Sequence, residues 1–172
     1  AIRIADALQE YNILWAEDIL RMDNIDTLKE FRRRTKIPLA ISEMINTVEE
    51  YRRVLELGIA DYIEIDPTWV GGISPSVKIT HLAQAHNIPV TFHDCTGPLT
   101  VYAGLQISVA NSNVVYQETV RAHIRTLYDL LIENNLEIRN GLAMAPTLPG
   151  LGTKLLPSLF ENNKHQYRSS IF

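Results

Sequence analysis

The stretch that decides the fold is YIEIDPTWVGG, residues 62–72. Ile63 and Ile65 alternate with Glu64, the pattern of a strand with one apolar face. The run then stops on Asp66 and Pro67, and Gly71 and Gly72 offer a turn into a following segment. A strand that ends on a carboxylate raises the question of what Asp66 faces. It could open a turn before the proline, or it could serve a site at the strand's end.

Four further short runs share that form: ILWAED (13–18), PLAISE (38–43), PVTFH (89–93) and VVYQE (114–118). All are rich in Ile, Val, Leu or aromatic residues, as buried parallel strands are. The segments between them carry helical spacing. IDTLKEFRRRT groups Ile25, Leu28 and Phe31, and TVEEYRRVLELG groups Val48, Tyr51, Val54 and Leu55 before Gly58. Thr47 and Glu50 form a capping-box pattern. SPSVKITHLAQAHN predicts a helix with Ser74 as N-cap and Pro75 in its first turn, and IRTLYDLLIENN (124–135) predicts another amphipathic helix. The runs end at residues 18, 43, 66, 93 and 118, so strand and helix repeat every 25 residues or so. That repetition predicts βαβ units and a parallel α/β sheet, either a (β/α) barrel or a doubly wound sheet. The segment LEIRNGLAMAPTLPGLGTKLLP reads as a closing loop or small ribbon, and residues 161–172 as a mobile tail.

Composition bounds the function. The 172 residues are 46% hydrophobic and 21% charged, which supports one packed core and excludes a disordered chain. A net charge of −4 without a basic run argues against nucleic acid. No apolar run is long enough to cross a membrane, and there is no leader pattern. The single Cys95 cannot form an internal disulfide, and a cytoplasmic location is expected. Cys95 itself reads as a small buried residue.

The runs end on Glu17 and Asp18, Glu43, Asp66, His93 and Glu118. Sites in parallel α/β folds lie at the C-terminal ends of strands. A single acid there is commonly a helix cap, but five positions in register favour a site. Carboxylates gathered this way repel one another unless some are protonated or a cation sits among them, and hard oxygen donors suit Mg²⁺ or Mn²⁺. Asp66 and His93 end neighbouring strands, so the aspartate can fix the histidine's tautomer and raise its basicity. His81, His86, His123 and His165 read as surface residues. Gly71 and Gly72 could instead cradle a phosphate, although no GxGxxG or P-loop spacing is present.

In order along nearly the whole chain, these motifs resemble the C-terminal part of the enolase superfamily, in its mandelate racemase and muconate lactonizing group. WAED resembles the strand that delivers one metal-binding glutamate, and AISE the strand that delivers the next. EIDPTWVGGIS resembles the Asp-x-x-x-x-Gly-Gly element, PVTFHD the strand with the partner histidine, and VVYQE the final barrel strand. PGLG resembles the segment after the barrel. The resemblance implies the C-terminal portion of a modified (β/α) barrel over residues 1–160. It makes Glu17 and Glu43 metal ligands, Asp66 and His93 a catalytic dyad, and Glu118 a contact to a substrate carboxylate. HDCTGPLT looks most like members that act on sugar acids. Ile19 stands where the family usually has proline, and Ser42 where glycine is common.

The implied chemistry is Mg²⁺-dependent removal of the proton α to a carboxylate. Loss of a β-hydroxyl would follow, giving dehydration of a sugar acid; reprotonation would give racemisation or epimerisation instead. The family's N-terminal capping domain, its first strands, a further acid/base group and a first metal-binding aspartate have no counterpart here. The expectation is therefore a partial barrel, inactive by itself or serving as an assembly module, that associates as a homo-oligomer through open sheet edges.

Overall fold

The computed structural model describes residues 1–161. The expected tail at 161–172, and His165 with it, falls outside the described residues beyond Glu161. Helix α1 (Ile2–Leu8) leads to strand β1 (Ala16–Glu17), followed by α2 (Ile25–Arg34), β2 (Leu39–Ile41), α3 (Val48–Glu56) and β3 (Tyr62–Ile65). Then come α4 (Ile73–Ala85), β4 (Val90–Phe92), α5 (Pro98–Ala110), β5 (Val114–Gln117) and α6 (Arg121–Thr126). A two-stranded antiparallel ribbon, β6 (Ile138–Arg139) with β7 (Leu142–Ala143), and a short α7 (Ser158–Glu161) complete the described chain. No helix among these residues is long and apolar enough to cross a membrane.

Strands β1 to β5 form one parallel sheet in chain order. The order never reverses, as it does at the switch point of a doubly wound sheet, so the geometry is that of consecutive barrel strands. In a flat sheet, four spacings of about 4.8 Å would hold β1 and β5 about 19 Å apart. Yet the Trp15 ring, beside β1, lies 5.7 Å from the Tyr116 ring on β5, and 4.9 Å from Tyr62 on β3. The sheet therefore curls about an inner face.

Register assigns the two faces. Glu17 pairs with Ala40, Ala40 with Tyr62, Glu64 with Thr91, and Thr91 with Tyr116, so these side chains share one side of the pleat. It is the inner side. Leu39, Ile41, Ile63, Ile65, Val90 and Phe92 point outward and pack in one buried cluster with Leu28 and Phe31 of α2, Tyr51 and Val54 of α3, and Ile79 and Ala83 of α4. Strand β5 carries an irregularity: Val90 faces Val114 but Thr91 faces Tyr116, leaving Val115 without a partner. The extra residue turns Tyr116 inward, and Glu118 with it.

The helices follow the spacing with three exceptions. The Thr47 and Glu50 capping box forms as expected. Ser74 does not cap α4; Gly72 stands at that position with φ 116°, after Gly71 at φ 93°, because a left-handed turn brings the chain back over Pro67 and Gly72 N–H donates to its carbonyl at 2.7 Å. Residues 124–135 do not form one helix: α6 stops at Thr126, a 3-10 turn spans Tyr128–Leu130, and Ile132 bridges to Leu155. There Tyr128, Ile132 and Leu136 form a second cluster with Val101, Tyr102 and Leu105 of α5, a packing demand that overrides helical spacing. Helix α5 was not legible from spacing, since its residues are buried on nearly every side and no polar stripe marks it.

Candidate active site

The inner face is built in layers. Trp15, Tyr62 and Tyr116 make an aromatic floor. Above them stand Glu17 and Glu64, and at the strand ends Asp66, His93 and Glu118. Glu43, two residues past β2, leans in from a loop that begins at Ser42.

Asp66 answers the opening question twice. Its Oδ1 accepts the backbone N–H of Thr68 at 2.7 Å and of Trp69 at 3.2 Å, so it does open the turn after Pro67. Its Oδ2 lies 3.0 Å from His93 Nδ1 and accepts the Thr96 hydroxyl at 2.6 Å. Burial opposes the Asp66 charge, but the hydrogen bonds from His93, Thr96 and the two backbone amides outweigh it and hold the carboxyl below its ordinary range. An ionised Asp66 only accepts, which places a proton on Nδ1 and aims Nε2 at the inner face. Glu118 Oε2 lies 3.8 Å from that Nε2, and the Asp94 N–H donates to it at 2.9 Å. Burial works against an imidazolium at His93, but the bond to Asp66 and the charges of Glu43 and Glu118 prevail and lift its pKa to about 9.

Glu17, Glu43 and Glu64 carry carboxylate oxygens that all lie within 4.8 Å of one another. Around an octahedral Mg²⁺ with bonds of about 2.1 Å, ligand oxygens sit about 3.0 to 4.2 Å apart, so small side-chain rotations suffice to enclose an ion. Glu43 Oε2 and Glu64 Oε2 are buried without a hydrogen-bond partner. Burial pushes the Glu43 carboxyl up, and the charge of Asp18 pushes it further. Glu64 is pushed up strongly, by burial first and then by Glu17, Glu118 and Glu43. Both the hard oxygen set and the unpartnered oxygens fit a divalent cation. A cavity of about 560 Å³ flanks this cluster at Asp18, lined also by Arg21, Met44 and Glu50.

All five residues singled out in the sequence thus gather on the inner face. Glu64 was missed, because within YIEID it reads as the solvent half of an alternating strand. Cys95, expected to be buried, is exposed at the turn before α5. His81 and His86 are exposed on α4 and at its end, as expected; His123 is only half-buried, its ring 6.2 Å from Tyr128.

Comparison with known proteins gives the family to which the chain is similar. The family model described as enolase C-terminal domain-like matches residues 1–159. A D-xylonate dehydratase of Haloferax volcanii is 33% identical over 155 residues, covering 90% of this chain and 37% of that protein. A D-galactonate dehydratase family member of Pseudarthrobacter chlorophenolicus is 30% identical over 156 residues, 90% of this chain and 38% of that one. The chain therefore spans about two fifths of the length of these relatives. Among solved structures, an enolase of the mandelate racemase subgroup from Agrobacterium tumefaciens superposes with a TM-score of 0.85 at 33% identity, over 93% of this chain and 43% of that one.

Proposed function

Because the chain belongs to the enolase C-terminal domain-like family, we propose that its inner face is the acid/base and metal-bearing part of a sugar-acid dehydratase site. The observation that carries this reading is the His93 imidazole, fixed by Asp66 through Nδ1 and presenting Nε2 toward the carboxylates. Names of relatives favour dehydration over epimerisation. Glu17 and Glu43 would hold Mg²⁺ or Mn²⁺. When bound, the cation supplies positive charge against the negative charge that builds on a substrate carboxylate as its α-proton leaves.

A cation held among the carboxylates would offset the Glu43 and Glu118 charges that raise the His93 pKa, and so favour a neutral Nε2. His93 in that form would take the α-proton as the C–H bond breaks. The resulting imidazolium, stabilised by Asp66, gives that proton to the β-hydroxyl as the C–O bond breaks, and water departs. Glu118, whose Oε2 accepts the Asp94 N–H, would in its protonated form donate to the substrate carboxylate. Calorimetric titration of the chain with D-xylonate and D-galactonate, with and without saturating Mg²⁺, tests this reading. Aldonate binding that requires the cation is the expected result; no cation-dependent binding of either acid would overturn it.

A further inference from the structure

We propose that Thr96 is a positioning residue of the Asp66–His93 dyad: its hydroxyl takes the last acceptor site on Asp66 and draws off charge that would otherwise fall on the imidazole. The catalytic meaning of this role rests on the site reading above. Thr96 stands in the exposed loop between β4 and α5 and reaches back to Asp66, which is fully buried. An ionised carboxylate has about four acceptor sites. Four donors meet them in Asp66: the Thr68 and Trp69 amides on Oδ1, His93 Nδ1 and the Thr96 hydroxyl on Oδ2.

The two bonds to Oδ2 are unequal. The Thr96 bond, at 2.6 Å, falls in the range of about 2.5–2.7 Å for a hydroxyl on a charged acceptor. The His93 bond, at 3.0 Å, is longer than the roughly 2.7–2.9 Å of a charged N–H on a carboxylate. Thr96 thus holds the closer share of an oxygen that both donors use. The consequence is chemical. An imidazolium bound to an undivided carboxylate gives up its proton reluctantly, yet the proposed dehydration has His93 pass on the proton it takes. A merely structural role for the hydroxyl is less needed, because the loop has other ties. The His93 N–H donates to the Ile65 carbonyl at 3.0 Å, and the Thr68 and Thr100 hydroxyls join the turn after β3 to the start of α5. Glu43 and Glu118, the other carboxylates that act on His93, are left in place by a change at Thr96.

The test is proton NMR of the His93 Nδ1–H resonance in the metal-free chain, at a pH where the imidazole carries both ring protons. Wild type, Thr96→Val, Thr96→Ser and Asp66→Asn are compared. Valine removes the hydroxyl at nearly constant volume. The expected result is a downfield shift in Thr96→Val, as the bond from His93 to Asp66 tightens, and a return toward the wild-type position in Thr96→Ser. A residue that only held the loop would give the reverse in Thr96→Val, an upfield shift with faster exchange against water. That reverse, an unmoved resonance, a serine variant that fails to restore it, or a Thr96→Val chain that does not fold overturns the proposal. If wild type and Asp66→Asn show the same resonance, the dyad at the centre of the site reading falls as well. If Asp66→Asn moves it upfield while Thr96→Val leaves it unmoved, only this inference falls.

Discussion

Asp66 does two tasks with two oxygens: Oδ1 opens the turn after Pro67, and Oδ2 meets His93 Nδ1. Its charge outweighs the burial that would otherwise strip His93 of its proton. The Asp66→Asn variant is therefore expected to lower the His93 pKa from about 9 to its ordinary 6.5 or below in the metal-free chain, read by NMR titration of the imidazole. An unchanged His93 titration would show that Glu43 and Glu118 supply the field instead. The sign for stability follows from linkage. His93 has a raised folded pKa, so its contribution is full below 6.5 and drains as pH rises through about 9. Asp66→Asn should flatten that part of the stability profile. The pairing of Asp66 with His93 was legible because both end adjacent strands. The burial of Glu64 was not, because alternation cannot say whether the polar side of a strand meets water or a closed inner face.

At the scale of elements, helix α3 joins the outer layer to the site. The buried Tyr51 places its hydroxyl 2.9 Å from the Ser42 carbonyl and 2.7 Å from the Glu64 carbonyl, binding the ends of β2 and β3 where Glu43 and Glu64 emerge. One hydroxyl proton serves one acceptor at a time, yet its removal leaves both carbonyls without this donor. Tyr51→Phe should cost about 1–3 kcal/mol in urea unfolding, the range for a buried acceptor left unsatisfied. A loss well under 0.5 kcal/mol would show that the carbonyls find other donors. The amphipathic helices α2 and α3 were readable because each has one wet face. Helix α5 lacks one, and residues 124–135 broke their pattern to pack against it.

Across the whole molecule, β1 and β5 end the sheet, and no further strand pairs with them among the described residues. Near these ends, Leu14 is 52% and Tyr116 51% exposed. Unpaired edges beside apolar surface favour pairing with another chain. The protein is expected to self-associate, with sedimentation velocity giving an average mass that rises above 19.5 kDa with loading. A concentration-independent species of that mass would overturn the expectation.

Local sequence determined the alternation of strands and helices, the strand ends bearing Glu17, Glu43, Asp66, His93 and Glu118, and the capping box at Thr47. These depend on period and on nearest neighbours, which a single chain displays. Only the tertiary structure decided which way Glu118 points. In VVYQE, strict alternation from Val114 would send Glu118 outward with the core side chains. The unpaired Val115 shifts the register against β4 and turns Glu118 inward to His93. The physical reason is that a strand's facing is set by its partner's register, and one inserted residue reverses it without changing a letter of the pattern.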